Sequence, residues 1–341
     1  MLNKSILKVM LAVSLCVVLL FSVAGCSSTS QNAGGDKAKA TTQPATQEKK
    51  EINIGFIPMT LENEYFITMV NAAKQEAEKL GVKLLVQAGQ SHASAEDQLQ
   101  IVENMITNKV SAICIVPSSS EGLITALKKA QDAGIPVINL DTKLDAALVK
   151  SAGLKTVPFI GTNNYDGAKI AGEYALKLLD GKGKVAILTG IAGQQNASDR
   201  RNGFYDVVKD KFTIVAEQSA NWEVEKGYNA AQNIIQANPD LNFIFASNDN
   251  MGLGAIKAIK ESKKDIKVIG FDAVGEALNS VAQGEMVGTV AQFPAKMGIQ
   301  GVEAAIKLIN GETVEDVVST GTELITKENV EKFKTYLAQY K

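Results

Sequence analysis

From Ile52 onward the chain repeats one local pattern: a short β-rich apolar run, a turn, then an amphipathic stretch at helical spacing. Ile52–Pro58, Lys83–Gln87, Ser111–Val116, Pro136–Leu140 and Val157–Gly161 form a first set of such runs. Lys184–Thr189, Phe212–Ala216, Asn242–Ala246, Lys267–Phe271 and Val287–Ala291 form a second. Helical patterns at 64–80, 121–133 and 166–179 fall between them, closed by Gly81, Gly134 and Gly181. A helix between successive strands brings the chain back to the same end of the sheet, so the strands run parallel and helices cover both faces. So many strands exceed what one open sheet holds comfortably. The pattern therefore predicts an α/β protein of two similar doubly wound parallel-sheet lobes. We expect one lobe over 51–162 and 293–322 and the other over 163–292 and 323–341. Three hinge crossings near Thr162, Gln292 and Gly321 would join them, with Pro294 opening a new helix after the second.

In open α/β sheets, ligands bind beyond the carboxyl ends of the strands. Those positions carry Asn63, Tyr65 and Phe66 after the first run, Asp141 after Ile138-Asn-Leu140, and Arg200 past Thr189. Trp222 follows the run at 212–216, Asn248 follows Phe245-Ala-Ser247, and Asp272 and Gln292 end the last two runs. Acids accept hydrogen bonds, amides and arginine donate them in fixed forks, and aromatic faces cover the CH-rich faces of a ring. That combination suits a small, hydroxyl-rich ligand. Composition removes the main competitors. Lys+Arg 35 against Asp+Glu 37 leaves no basic field for a nucleic acid. His92 is the one histidine, which excludes histidine-rich metal sites and any His-dependent triad built elsewhere. The acids are surrounded by arginine and amides, with no sign of a general acid of raised pKa, so catalysis is not expected.

The segment before Ile52 reads as an address. Lys4 and Lys8 precede an uncharged apolar run from Val9 to Ala24, too short for the ~20 residues of a spanning helix, and Val23-Ala-Gly-Cys26 follows. This is the layout of a secretory signal over 1–25, and its last four residues resemble a bacterial lipobox in which Cys26 is lipidated. Residues 26–50 are rich in Ser, Thr, Gln, Ala and Lys without an aromatic side chain, and read as a flexible tether. Acyl chains on Cys26 would hold the protein to the cell membrane, at ~0.8 kcal/mol per buried CH₂. Cys16 leaves with the signal and Cys114 sits in the apolar strand Ala112–Val116, so no disulfide is expected.

Taken in order, Asn63-Glu-Tyr-Phe66, Gly134-Ile-Pro-Val-Ile-Asn-Leu-Asp141, Gly190-Ile-Ala-Gly193, Arg200-Arg-Asn-Gly-Phe204, Ser247-Asn-Asp-Asn-Met-Gly-Leu-Gly254, Val268-Ile-Gly-Phe-Asp272 and Ala291-Gln-Phe-Pro294 resemble the type I periplasmic sugar-binding proteins, close to their ribose- and allose-binding branch. The resemblance implies the periplasmic binding protein type I fold and places sugar contacts on Asn63, Tyr65, Phe66, Asp141, Arg200, Trp222, Asn248, Asp272 and Gln292. It also implies a monomer that hands a monosaccharide to an ABC permease and its ATPase, without a cofactor or a metal. Ribose binders of this type usually carry an arginine after the first-lobe aspartate. Here Thr142 and Lys143 follow Asp141, and with Trp222 they look more allose-like.

Other functions on the same fold separate differently. A sugar-responsive repressor would open with a DNA-binding helix-turn-helix, whereas this chain opens with an export signal. A receptor presenting a sugar or furanosyl signal to a chemoreceptor or histidine kinase is compatible with every residue above. Among local features, Ser94-Ala-Glu-Asp97 has the form of a capping box. Asp249 is expected to cap the helix starting near Met251, with Asn248 the second candidate for that cap and itself expected at the ligand. His92, in a polar loop, is expected to be exposed, Arg201 to be a surface neighbour, and Lys143 to be solvated. Gly181-Lys-Gly-Lys184 lacks the spacing of a phosphate loop and reads as a turn.

Overall fold

A computed structural model describes residues 51–340. The expected signal over 1–25, the expected tether over 26–50 and the expected lipidation of Cys26 lie outside the described residues. The first half contributes β1 (Asn53–Ile57), α1 (Glu64–Lys79), β2 (Lys83–Val86), α2 (Ala95–Thr107), β3 (Ala112–Ile115), α3 (Ile124–Asp132), β4 (Val137–Leu140), α4 (Ala146–Ser151) and β5 (Phe159–Gly161). The second contributes α5 (Asn164–Leu178), β6 (Lys184–Thr189), α6 (Gln195–Val208), β7 (Thr213–Ser219), α7 (Val224–Ala237), β8 (Phe243–Ala246), α8 (Asp249–Ser262), β9 (Lys267–Asp272), α9 (Gly275–Gln283) and β10 (Gly288–Ala291). Then come α10 (Pro294–Ile309), β11 (Val317–Ser319), β12 (Glu323–Ile325) and α11 (Val330–Leu337).

These strands form two six-stranded sheets in the orders β11-β5-β4-β3-β1-β2 and β12-β10-β9-β8-β6-β7. The chain passes from one sheet to the other after β5, returns after β10, where α10 packs on α1, and passes again between β11 and β12. The expected two-lobed doubly wound α/β fold is the observed one. Every pairing is parallel except β12 against β10. That exception departs from the expectation of purely parallel sheets. The short loop from β11 crosses directly into the other sheet, with no helix to reverse the chain before β12.

Burial explains the strand composition. β3 and β8, central in their sheets, are buried at every residue and read as continuous apolar runs, whereas the edge strand β2 has no buried residue. Cys114 lies in β3 as a buried free thiol, and burial pushes its pKa well up, as an inert apolar filler requires. Helix starts follow local chemistry only in part. Asn63 caps α1 through Tyr65 N–H, and Pro294 opens α10. The capping box at 94–97 does not form: Ser94 Oγ accepts from Ser91 N–H and Asp97 from Gln90 N–H, so both side chains brace the preceding loop. The helix expected from Glu121 begins at Ile124, after a turn whose N–H groups at 121 and 122 go to Ser119 Oγ. Among the described residues no helix is long and apolar enough to cross a membrane.

Helix α10 reaches α1 through Gly298, where an added Cβ would stand 2.2 Å from the carbonyl oxygen of Met69. Gly298→Ala should gain about 1 kcal/mol of helix propensity. Forcing α10 off α1 should cost more, about 1–3 kcal/mol beyond that gain. A melting temperature several degrees below wild type is expected, and a rise would contradict this packing account.

Candidate functional site

The site is assembled by turns at the carboxyl ends of strands in both sheets. After β4, Asp141 adopts φ 60°; after β7, Asn221 and Trp222 adopt 51° and 69°; at the end of β9, Asp272 and Ala273 adopt 113° and 60°. Left-handed backbone at non-glycine residues costs about 1–3 kcal/mol each and persists where surrounding structure enforces it. Here it turns three of the candidate side chains into one space. Trp222 also depends on Gly190, at the end of β6, where a Cβ would come 1.8 Å from the indole ring. The backbone of Gly190 is the floor on which that ring lies.

The result is one small cavity with a polar and aromatic lining, the make-up of a small-molecule site. Its lining includes all nine residues singled out above: Asn63, Tyr65, Phe66, Asp141, Arg200, Trp222, Asn248, Asp272 and Gln292. Asn63, Tyr65, Phe66 and Asp141 come from the lobe of the first sheet; Arg200, Trp222, Asn248 and Asp272 come from the other. Gln292 sits on the second crossing.

The hydrogen bonds divide into two groups. In the first lobe, Tyr65 OH donates to Asp141 Oδ1 at 2.7 Å and Thr142 OH to Asp141 Oδ2 at 3.0 Å. In the second, the Arg200 guanidinium donates to Asn164 Oδ1 (2.7 Å), the Ser247 carbonyl (2.8 Å) and Asp272 Oδ1 (3.0 Å). Its carbon lies 4.0 Å from the centre of the Phe271 ring. Gln292 donates its amide to Asp272 Oδ1 at 2.7 Å, while its Oε1 is buried without a protein partner. Burial pushes Asp272 up to about 6 even though Arg200 pulls in the other direction, so the expectation that no acid here has a raised pKa does not hold. Burial, followed by the charge of Asp141, raises Tyr65 well above its ordinary value, so the phenol remains a donor.

Several expectations change. Asn248, not Asp249, caps α8, accepting from Met251 N–H at 2.9 Å while still lining the cavity. Asp249 is fully buried and accepts from Val274 N–H and Thr289 OH; burial and the charge of Asp272 hold its pKa well above the carboxylate range. His92 is not exposed: it is half-buried, lines the cavity and lies 5.6 Å from the Phe66 ring. Burial lowers its pKa to about 4, so it is neutral at pH 7. Met59, Gln194 and Asn196 also line the cavity and were not singled out. Met59 and Gln194 follow the carboxyl ends of β1 and β6, the same signal that marked the others, and Asn196 lies in the first turn of α6. Arg201 pairs with Glu217 near the surface, Lys143 is exposed above the Phe159 ring, and Gly181 and Gly183 form a turn.

Two α/β lobes joined by three crossings, with a polar, aromatic-walled cavity fed by both, define a solute-binding protein. Residues 54–313 match the periplasmic binding protein domain, and the chain belongs to that family, in its type I fold. The D-ribose/D-allose-binding protein of Pseudomonas aeruginosa is 36% identical over 290 residues, 82% of this chain and 90% of the relative. The ribose import binding protein of Escherichia coli is 35% identical over 277 residues, 81% of this chain and 90% of the relative. Among solved structures, an ABC transporter periplasmic solute-binding protein from Actinobacillus succinogenes 130z with bound D-allose superposes with a TM-score of 0.79 at 37% identity, covering 83% of this chain and all of that one.

Asp272 sets a pH dependence whose sign follows from its shift. Its folded pKa lies above the ordinary 3.8, so between about pH 4 and 6 the folded state holds a proton that the unfolded chain has released. The stability this adds is complete below about 4 and fades as pH rises through 6. His92, with its lowered pKa, works in the opposite direction over much the same range, so the wild-type curve alone cannot isolate Asp272. Subtracting the melting temperature of Asp272→Asn from that of wild type does. This difference should be largest near pH 4 and shrink towards pH 7; a difference that is flat or grows with pH would contradict the raised pKa.

Proposed function

We propose that this chain is the extracytoplasmic receptor of an ABC importer and that its cargo is a monosaccharide, of the allose type before ribose. The observation that carries this reading is the convergence of acids, amides, one arginine and aromatic rings from both lobes on one cavity. The sugar ring would lie between Tyr65 or Phe66 and Trp222. Asn63 and Asp141 would take hydroxyls from one side, Arg200, Asn248 and Asp272 from the other, and the buried Oε1 of Gln292 would accept a further hydroxyl proton. Thr142 in place of an arginine after Asp141, and Trp222 itself, support a hexose. The allose-bound neighbour supports it further. With contacts divided in this way, an open form satisfies about half of the sugar's hydroxyls and closure supplies the rest, so the ligand shifts a hinge equilibrium. The moving bodies would be 51–162 with 293–322 and 163–292 with 323–341, turning about the three crossings. The receptor would act as a monomer, attached to the cell membrane by lipid on Cys26.

A thermal-shift panel of D-allose, D-ribose, D-arabinose, D-fucose, D-tagatose and myo-inositol tests the cargo. A ligand at 100 times its Kd adds about 2.7 kcal/mol, which should raise the melting temperature by several degrees. No shift with any of the six would sink the sugar reading. With a sugar that binds, calorimetry on Asp272→Asn should show affinity lowered roughly ten- to hundredfold, since a hydrogen bond to a charged group contributes about 1.5–3 kcal/mol, and Trp222→Ala should do likewise through lost coverage of the ring. Wild-type affinity in both variants would remove this cavity from the account.

Anchoring is tested separately. Cys26→Ser, expressed with its own signal, should lose fatty-acid labelling and leave the membrane fraction. A variant that stays membrane-bound after a high-salt wash would refute the lipid anchor.

A further inference from the structure

Gln194 lies between β6 and α6 in the lobe of the second sheet, 1% exposed, with its amide fully engaged. Its Oε1 accepts from Trp222 Nε1 at 2.6 Å. Its Nε2 donates to the carbonyl oxygens of Ser118 at 2.8 Å and His92 at 3.1 Å. Ser118 follows β3 and His92 follows β2, so both acceptors belong to the opposite lobe. One side chain therefore ties the indole of its own lobe to two loops of the other. The next residue adds to the seam, with Gln195 N–H donating to Ser120 Oγ at 3.1 Å. A separate contact joins the lobes where Gly275 N–H, at the start of α9, donates to Glu64 on α1 at 2.9 Å. A carboxylate is favoured at a helix N-terminus.

The amide is directional. Its oxygen can meet the indole N–H only if its nitrogen faces the first lobe, and that lobe's carbonyls reach the nitrogen only when the cleft is shut. Gly190 fixes the face of the Trp222 ring, and Gln194 fixes the remaining freedom, its rotation in plane. We infer that Gln194 is a positioning residue that couples lobe closure to the orientation of Trp222 and holds part of the closed population before any ligand is bound. This rests on the sugar-receptor reading for its consequence in affinity. The effect on closure itself does not depend on the sugar.

Two variants separate the halves of the amide. Gln194→Ala removes both. Gln194→Glu, once ionised, still accepts from the indole but cannot donate to the Ser118 and His92 carbonyls; burial raises the pKa of such a carboxyl, so this variant is measured from pH 7 to 9. Trp222 is the one tryptophan of the chain, so its fluorescence reports on the site directly. In stopped flow with D-allose and D-ribose as probes, both variants should release the sugar roughly ten- to hundredfold faster, the equivalent of one or two lost hydrogen bonds. Their association rates should stay near wild type. The sugar-bound emission spectrum should change in Gln194→Ala and stay near wild type in Gln194→Glu. By small-angle scattering, sugar-free wild type should have a smaller radius of gyration than either variant. Unchanged dissociation rates together with equal sugar-free radii would overturn the inference. Should wild type bind neither sugar, the sugar reading fails on these probes and the sugar-free radii alone decide on Gln194, equal radii again overturning it.

Discussion

A guanidinium cannot shed its proton inside a protein, so a buried arginine dictates the structure around it. Arg200 is 3% exposed, and its fork is met by Asn164 from α5, by the carbonyl of Ser247 past β8, and by Asp272 at the end of β9, with Phe271 beneath it. Gln292, on the crossing back to the first lobe, then holds Asp272. One cation thus sets the relative positions of two helices, two strand ends and a hinge segment. Removing either member of such a pair leaves an uncompensated buried charge, at about 3–5 kcal/mol. The strained turn at Asp272, with φ 113°, is sustained by this network. The first lobe has a counterpart in Asp141, which is held by the hydroxyls of Tyr65 and Thr142 in place of a guanidinium.

The two networks are each complete within a lobe yet leave acceptor capacity facing the cavity: carboxylate lone pairs on Asp141 and Asp272 and the buried Oε1 of Gln292. Rigid polar groups held by their own lobe and aimed into a shared space form a pre-organised site, in which little ordering cost remains at binding. In the proposed function, closing the cleft would bring the two halves together, a hinge motion of the kind two-lobed proteins use.

Much of this was legible in the residues. The strand–helix repeat determined the fold because periodicity reports on burial, and burial on both faces of a sheet leaves continuous apolar runs such as 112–115 and 243–246. The nine candidate side chains followed from one topological rule about strand ends. Apart from Met59 and Gln194, which carry the strand-end signal, and Asn196 just beyond Gln194, most of what escaped was set by tertiary contacts that leave no local trace. Asn248 and Asp249 are both good helix caps, and only the packing of Thr289 and Val274 against Asp249 decides between them. Ser94 and Asp97 match a capping box, but nearer donors in the 90–91 loop claim them. His92 has polar neighbours in sequence, and Phe66, which half-buries it, is far away along the chain. β11 and β12 have three residues each, too few to show a period.

The central claim is that one small polyol is held from both lobes at once. A crystal structure of the protein grown with D-allose, or with whichever sugar stabilises it most, examines that claim most directly. The account predicts one sugar in the cavity, its hydroxyls bonded to Asp141 or Asn63 on one side and to Arg200, Asn248 or Asp272 on the other, with Trp222 against the ring. A sugar bound outside this cavity, or bonded to one lobe alone, would contradict it.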